Sequence, residues 1–185
     1  MTGSLKGQRV TRTLLQWKKA APSEPAVTFR EMLAYTDYLA HRWLDYFKQH
    51  DAALAVAIGG RTPSLRDLVG HLFRVELFFA TFLSQGDSAP PPTAPPPNPE
   101  SPSLETLARM HQEAHEKLAL YINSASEEDL RCMRTLGPAK VSNRKILAQT
   151  VLHSVHHWAQ VAMEVRQAGF PPQPPQDIIV SPVME

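Results

Sequence analysis

The chain has 185 residues, of which 43% are hydrophobic, and its 19 basic and 18 acidic side chains leave a formal net charge of +1. This length favours one domain with a sizeable core, and the near-neutral charge argues against the electrostatic footprint of a nucleic-acid-binding protein. No run of 18 apolar residues is present, so no membrane span is expected, and the single cysteine, Cys132, excludes an internal disulfide and fits the reducing cytoplasm.

Residues 1–26 precede the first helical pattern and form a basic segment. Five lysines and arginines occur there before the first acidic residue, Glu24, and apolar residues such as Leu14 and Trp17 lie among them. We interpret this segment as an extension that docks on the domain or on a second subunit, rather than as a targeting peptide. A homodimer is the expected assembly.

Two amphipathic helices are predicted over residues 27–49 and 64–84, because apolar residues recur there at steps of three and four. The second helix starts at Ser64, and Asp67 three positions later completes a capping-box-like signal. His71 lies within its apolar stripe. A lone histidine on such a face is more often a core residue than a ligand, so its role depends on which helix packs against it.

A proline-rich stretch over residues 86–102 follows and predicts a long extended connection rather than a helix. A third helix is predicted over residues 103–123, with His111 and His115 one turn apart. This pair is an alternative metal-binding pair, although Gln112 distinguishes it from the H-E-x-x-H motif. Residues 131–141 show no periodic pattern and are expected to be irregular.

The fourth predicted helix covers residues 142–167 and carries the strongest chemical signal. His153 and His157 are spaced i, i+4, so both imidazoles lie on one face, whereas His156 lies about 100° around the helix from His157. Gln160 and Glu164 continue this polar line and are weak candidates for orienting substrate or water. Two histidines are an incomplete metal site, and a third ligand must come from another helix. The proline-rich tail after Gly169 is expected to wrap the surface.

Three stretches in this order resemble the DinB-like (YfiT-like) family of metal-dependent four-helix bundles: residues 35–44, 64–71, and 153–160 followed by 166–169. The resemblance covers about residues 27–180 and implies an all-α, up-down-down-up four-helix bundle over residues 27–185, with the proline-rich connection between its second and third helices. In that family one histidine of the second helix and an H-x-x-x-H pair of the fourth bind a divalent metal. The corresponding residues here are His71, His153 and His157. The family commonly has Arg-Gly-Gln after the last ligand, where this chain has Trp158-Ala159-Gln160.

The resemblance also implies a chemistry. Three histidines leave a coordination position for water or a thiol, and both nickel and zinc suit imidazole ligands. Relatives that use low-molecular-weight thiols suggest a metal-dependent thiol transferase or a hydrolase-type enzyme acting on a small molecule. The alternative is a non-catalytic, stress-associated bundle that binds a metal or a partner.

Overall fold

The computed structural model describes residues 27–59, 63–86 and 102–184. It contains four long helices, α1 (Phe29–Gln49), α2 (Leu65–Ser84), α3 (Leu104–Ser124) and α5 (Asn143–Gln167). A short helix, α4 (Glu127–Arg131), and two strands, β1 (Met133–Leu136) and β2 (Ala139–Ser142), separate α3 from α5. A 3-10 helix (Asp51–Ala55) follows α1, and another (Ile178–Val180) lies in the tail. The four predicted helices agree with the observed ones to within two residues at either end.

Each long helix begins at a hydroxyl side chain that accepts a hydrogen bond from the first helical turn. Thr28 accepts from the amide of Glu31 at 3.2 Å, and the Glu31 carboxylate accepts from the amide of Thr28 at 2.7 Å. Serine caps the other three long helices in the same way: Ser64, Ser103 and Ser142. Because each such cap contributes about 1 kcal/mol, these residues define where the helices start.

The long helices pack so that α1 and α2 each contact both α3 and α5. One core cluster is centred on the fully buried side chains of Trp43, Phe47, Phe73 and Trp158. The indoles of Trp43 and Trp158 stack with ring centroids 5.7 Å apart. A second cluster is built from Leu33, Phe82, Leu83, Ala114, Leu118, Ile146 and Leu147. Burial of this apolar surface is the main driving force for the association of the helices.

The prediction of an irregular segment over residues 131–141 is wrong, because β1 and β2 form an antiparallel hairpin there. Leu136 pairs with Ala139, so Gly137 and Pro138 form a two-residue turn. Gly137 has a φ of 57°, a left-handed conformation that glycine adopts without steric cost. Each strand has only four residues, which is too short for an alternating pattern to stand out. The described part of the chain is therefore mostly helical and includes a small β-hairpin.

The C-terminal tail lies along the helices, as predicted. The hydroxyl of Tyr46 donates to the carbonyl of Pro171 at 3.0 Å, and the hydroxyl of Tyr35 donates to the carbonyl of Gln176. The side-chain amide of Gln176 in turn donates to the carbonyl of Trp158 at 2.9 Å. These bonds attach the tail to both α1 and α5.

Two predicted segments lie outside the described residues. They are the basic extension over residues 1–26 and, apart from its two ends, the proline-rich connection over residues 86–102. Among the helices that the structure does describe, none combines the length and the apolar character needed to cross a membrane.

Candidate metal centre

Three histidines from α2 and α5 meet where these two helices pack together. The ring centroids of His153 and His157 lie 4.4 Å apart, and that of His71 lies 5.3 and 5.2 Å from them. One ring nitrogen from each residue lies within 4.8 Å of those of the other two, close enough for one metal ion to bind all three. The structure thus brings together the three residues predicted as ligands.

The position of the pair on α5 follows from the buried stripe of that helix. Ser154, Trp158 and Val161 are buried in the core. His153 and His157 precede Ser154 and Trp158 by one residue each, so they lie beside the stripe and are half-buried, whereas His156 is exposed. The two imidazoles therefore lie at the edge of the core, where they pack against buried residues and remain partly accessible to solvent.

The spacing of the histidine nitrogens suits a transition-metal ion. The Nε2 atoms of His153 and His157 are 3.1 Å apart. Two nitrogens bound about 2.0–2.1 Å from one ion, at roughly 90–110° to each other, are about 2.9–3.4 Å apart. The Nδ1 atom of His157 lies 3.1 Å from Oε1 of Gln160. Since an amide oxygen only accepts, Nδ1 carries the proton and Nε2 keeps its lone pair for an ion.

Burial keeps these imidazoles neutral at ordinary pH. It lowers the pKa of His153 to about 3, with further lowering by His157, His71 and His156. Burial is also the largest cause of the lowered pKa values of His71 and His157. Because only the neutral imidazole binds a metal, these residues do not have to lose a positive charge to bind an ion near pH 7.

Arg74 lies beside His71 and affects which of its nitrogens is available. The Arg74 NH2 group is 3.3 Å from Nδ1 of His71. A guanidinium group only donates, so Nδ1 accepts and the ring proton is on Nε2. Coordination through Nδ1 requires Arg74 to move away, and coordination through Nε2 requires the proton to shift to Nδ1. Arg74 would therefore compete with a bound metal ion for His71.

The two weak catalytic candidates differ in their positions. Gln160 contacts His157 and orients its ring, as described above. Glu164 lies seven residues beyond His157, about 10 Å along the helix axis. It belongs to neither group of described residues that could hold a metal. Within the described part of the chain, the structure therefore places Gln160 against His157 and shows no comparable contact for Glu164.

A second cluster of ionisable side chains lies between α1, α3 and α2. His111 is 4% exposed, and its Nε2 lies 3.1 Å from Asp37 and its Nδ1 3.4 Å from Glu76. Burial alone would lower the pKa of His111, but the hydrogen bonds to these two carboxylates raise it to about 9. The second oxygen of Glu76 accepts a hydrogen bond from the hydroxyl of Ser154.

Both members of the alternative histidine pair belong to this second cluster. His115 lies 3.4 Å from Asp37, and neither His111 nor His115 is in the three-histidine group. Sequence reasoning did not single out Glu76, which accepts hydrogen bonds from His111 and Ser154. The signal that could have found it is a charged residue within the apolar stripe of α2. Sequence reasoning also missed that Asp37 and His41 form an i, i+4 pair on α1.

The metal-free chain is expected to lose stability on both sides of about pH 6.5, the usual histidine pKa. The folded-state pKa of His153 is lowered, so acidification through about pH 6.5 protonates the unfolded state preferentially and destabilises the fold. The pKa of His111 is raised to about 9, so its contribution is complete below about pH 6.5 and is lost as the pH rises through 9. A pKa shift of this size changes the free energy of unfolding by about 3 kcal/mol.

Urea unfolding in the presence of a chelator, at about pH 5, 7 and 9, measures both limbs of this profile. The His111→Gln variant should lose the alkaline dependence and keep the acidic one. A wild-type free energy of unfolding that stays constant between about pH 7 and 9 would contradict the assignment to His111.

Comparisons with known proteins identify the family of the chain and a similar fold. The family model described as the DinB superfamily matches residues 35–161, which is more than half of the chain. A crystal structure of a DinB-like protein, YjoA from Bacillus subtilis, superposes with a TM-score of 0.56 at 18% sequence identity, covering 79% of this chain and 97% of that one. No curated protein matches the sequence. The chain belongs to the DinB superfamily.

Proposed function

We propose that this chain is a divalent-metal-dependent enzyme of the thiol-transferase or hydrolase type, acting on a small molecule. The observation that carries the proposal is the convergence of His71, His153 and His157, whose nitrogens lie within 4.8 Å of one another. Three protein ligands leave at least one coordination position for another molecule. Nickel and zinc are the metals that we propose, because both suit imidazole ligands.

Different residues have different roles in this proposal. A bound divalent ion would supply a lowered pKa for a coordinated water or low-molecular-weight thiol. His71, His153 and His157 hold the ion, and Gln160 fixes the ring of His157 through its hydrogen bond to Nδ1. Arg74 places a positive charge next to His71, which favours a thiolate or another anionic group at this position.

The metal site is tested by the metal content of purified chains reconstituted with zinc or nickel. His153→Ala and His157→Ala are each expected to bind one equivalent less than the wild type, because two imidazoles hold a divalent ion far less tightly than three. His156→Ala is the matched control, since His156 is exposed and lies outside the three-histidine group. Unchanged metal content in both test variants would refute the site.

Turnover requires a separate assay with the metal-loaded chain. Low-molecular-weight thiols are offered together with electrophiles, and ester or amide substrates are offered alone. Activity that His71→Ala abolishes supports the enzyme proposal. Full metal loading with no turnover on either substrate class favours the alternative, a non-catalytic, stress-associated bundle that binds a metal or a partner.

We also propose that the four long helices form an up-down-down-up bundle. Arg66 near the start of α2 donates to the carbonyl of Pro102 just before α3, and Lys117 contacts Thr81 farther along both helices. These contacts support parallel α2 and α3. Phe73 packs on Trp158 and Glu76 on Ser154, which supports antiparallel α2 and α5.

If α2 and α3 are parallel, the chain must return from the end of α2 to the opposite end of the bundle, where α3 begins. The 20 residues of α2 are about 30 Å long, and residues 87–101 in an extended polyproline-like conformation would reach about 45 Å. The proline-rich stretch is therefore long enough for this role. A distance measured between spin labels at positions 84 and 104 tests the topology, and a separation under about 15 Å would contradict it.

For residues 1–26 we propose a docking extension that supports a homodimer. The support is its mixture of basic and apolar residues. Analytical ultracentrifugation of the full chain tests this assembly, and a monomer at all concentrations would rule it out.

A further inference from the structure

We propose that Asp37, His41 and His111 form a second divalent transition-metal site, with His115 beside it. One carboxylate oxygen and two imidazole nitrogens of these residues lie within 4.8 Å of one another. The site lies between α1 and α3, whereas the three-histidine site lies between α2 and α5. The two sites share no helix and no ligand.

The donor atoms surround Asp37 at distances typical of a coordination shell. Its Oδ1 lies 3.1 Å from Nε2 of His111 and 3.4 Å from Nδ1 of both His41 and His115. Ligands of one ion, each bound at about 2.0–2.2 Å, are about 2.9–3.4 Å apart. The residues form two i, i+4 pairs on facing helices, an arrangement that builds metal sites in helical bundles.

Glu76 holds His111 in the orientation that a metal ligand needs. The carboxylate of Glu76 lies 3.4 Å from Nδ1 of His111, so Nδ1–H donates to it and Nε2 points to the cluster. Metal-ligating histidines usually donate their second ring N–H to a carboxylate in this way. Glu76 is 6% exposed and is itself held by the hydroxyl of Ser154. Buried hydrogen bonds therefore fix the orientation of the His111 ring.

The charges around this cluster favour a cation. Asp37 and Glu76 bring two carboxylates to His111, and a divalent ion with neutral imidazoles would balance both. The three-histidine site has no carboxylate in its group and has Arg74 next to it.

The Nδ1 atoms of His41 and His115 differ in the hydrogen bonds that they make. Nδ1 of His41 also lies 3.0 Å from the carbonyl of Asp37, so His41 gives up that hydrogen bond when it coordinates through Nδ1. Nδ1 of His115 is buried and makes no hydrogen bond within the described part of the chain. His115 therefore lies beside the three ligands without a competing hydrogen bond, and one carboxylate with two imidazoles suits first-row metals such as iron, cobalt or zinc.

Cobalt(II) is the probe for the second site, with stoichiometry from elemental analysis and coordination from visible absorption. The full-length wild type is expected to bind two equivalents. Asp37→Asn should retain one, and His153→Ala should also retain one, because each removes a different site. Asp45→Asn is the matched control for Asp37→Asn, as it makes the same change at an exposed position of α1 and should retain two.

The outcomes separate this inference from the proposed function. One equivalent in the wild type that is lost in His153→Ala and kept in Asp37→Asn overturns the second site alone. One equivalent lost in Asp37→Asn and kept in His153→Ala supports the second site and refutes the three-histidine site, while no binding at all refutes both. If Asp37→Asn fails to fold by circular dichroism, His41→Ala decides, since the His41 side chain is 67% exposed. If His41→Ala weakens the affinity of the second site for cobalt(II) about tenfold or more, the inference is supported. If His41→Ala binds two equivalents with unchanged affinity, the inference is overturned.

Discussion

Replacing Glu76 with alanine is expected to destabilise the metal-free chain by about 2–5 kcal/mol, because it leaves two buried donors, Nδ1–H of His111 and the hydroxyl of Ser154, without their acceptor. Glu76 is 6% exposed and His111 is 4% exposed. The substitution removes the carboxylate that accepts from both His111 and Ser154. The measurement is urea unfolding at about pH 7 with a chelator, where His111, with its pKa of about 9, is protonated.

Two controls separate the charge from the loss of volume. Glu113→Ala removes an exposed carboxylate from α3 and should cost less than about 1 kcal/mol. The double variant Glu76→Leu with His111→Leu should be more stable than Glu76→Ala, because it removes the buried imidazole together with the carboxylate and refills their volume with apolar side chains. A cost below about 1 kcal/mol for Glu76→Ala would show that the buried contact is not an ion pair.

Replacing Trp158 with alanine is expected to cost about 3–5 kcal/mol, the usual range for removing a large buried aromatic side chain. Trp158 is 1% exposed, stacks on Trp43 with the ring planes 3° apart, and meets the ring of Phe73 at 5.7 Å. The cavity would open where α1, α2 and α5 meet. Denaturant unfolding of the variant gives the difference directly.

Trp158→Phe is the conservative comparison for this position. The indole N–H of Trp158 is buried and has no hydrogen-bond partner among the described residues, so phenylalanine removes an unsatisfied donor while keeping much of the apolar contact. It should therefore cost clearly less than alanine. Leu152→Ala, at a residue of the same helix that is 63% exposed, should change stability by no more than about 0.5 kcal/mol. Equal costs for Trp158→Ala and Leu152→Ala would contradict the core position of Trp158.

Local sequence patterns predicted the four long helices and two of the three histidines of the candidate metal centre. The three- and four-residue spacing of apolar side chains located the four long helices, because helical periodicity depends on neighbours within one turn or two. The same geometry placed His153 and His157 on one face. The resemblance to the DinB-like family, confirmed by the family match, added His71. The hairpin was missed because its strands are too short for a pattern to show.

Spacing along the chain is enough to show which residues can pair within one helix, but the packing of the helices selects the residues that meet from different helices. His71 reaches His153 and His157 because α2 packs against α5. Glu76 bonds His111 and Ser154, which are 35 and 78 positions away, and Asp37 bonds His111 across 74 positions. Contacts over such separations have no local periodicity, since they depend on how helix faces dock and on which buried polar groups find partners. For this reason the i, i+4 pair at His153 and His157 was visible in the sequence, whereas the Asp37, His111 and Glu76 cluster appeared only in the fold.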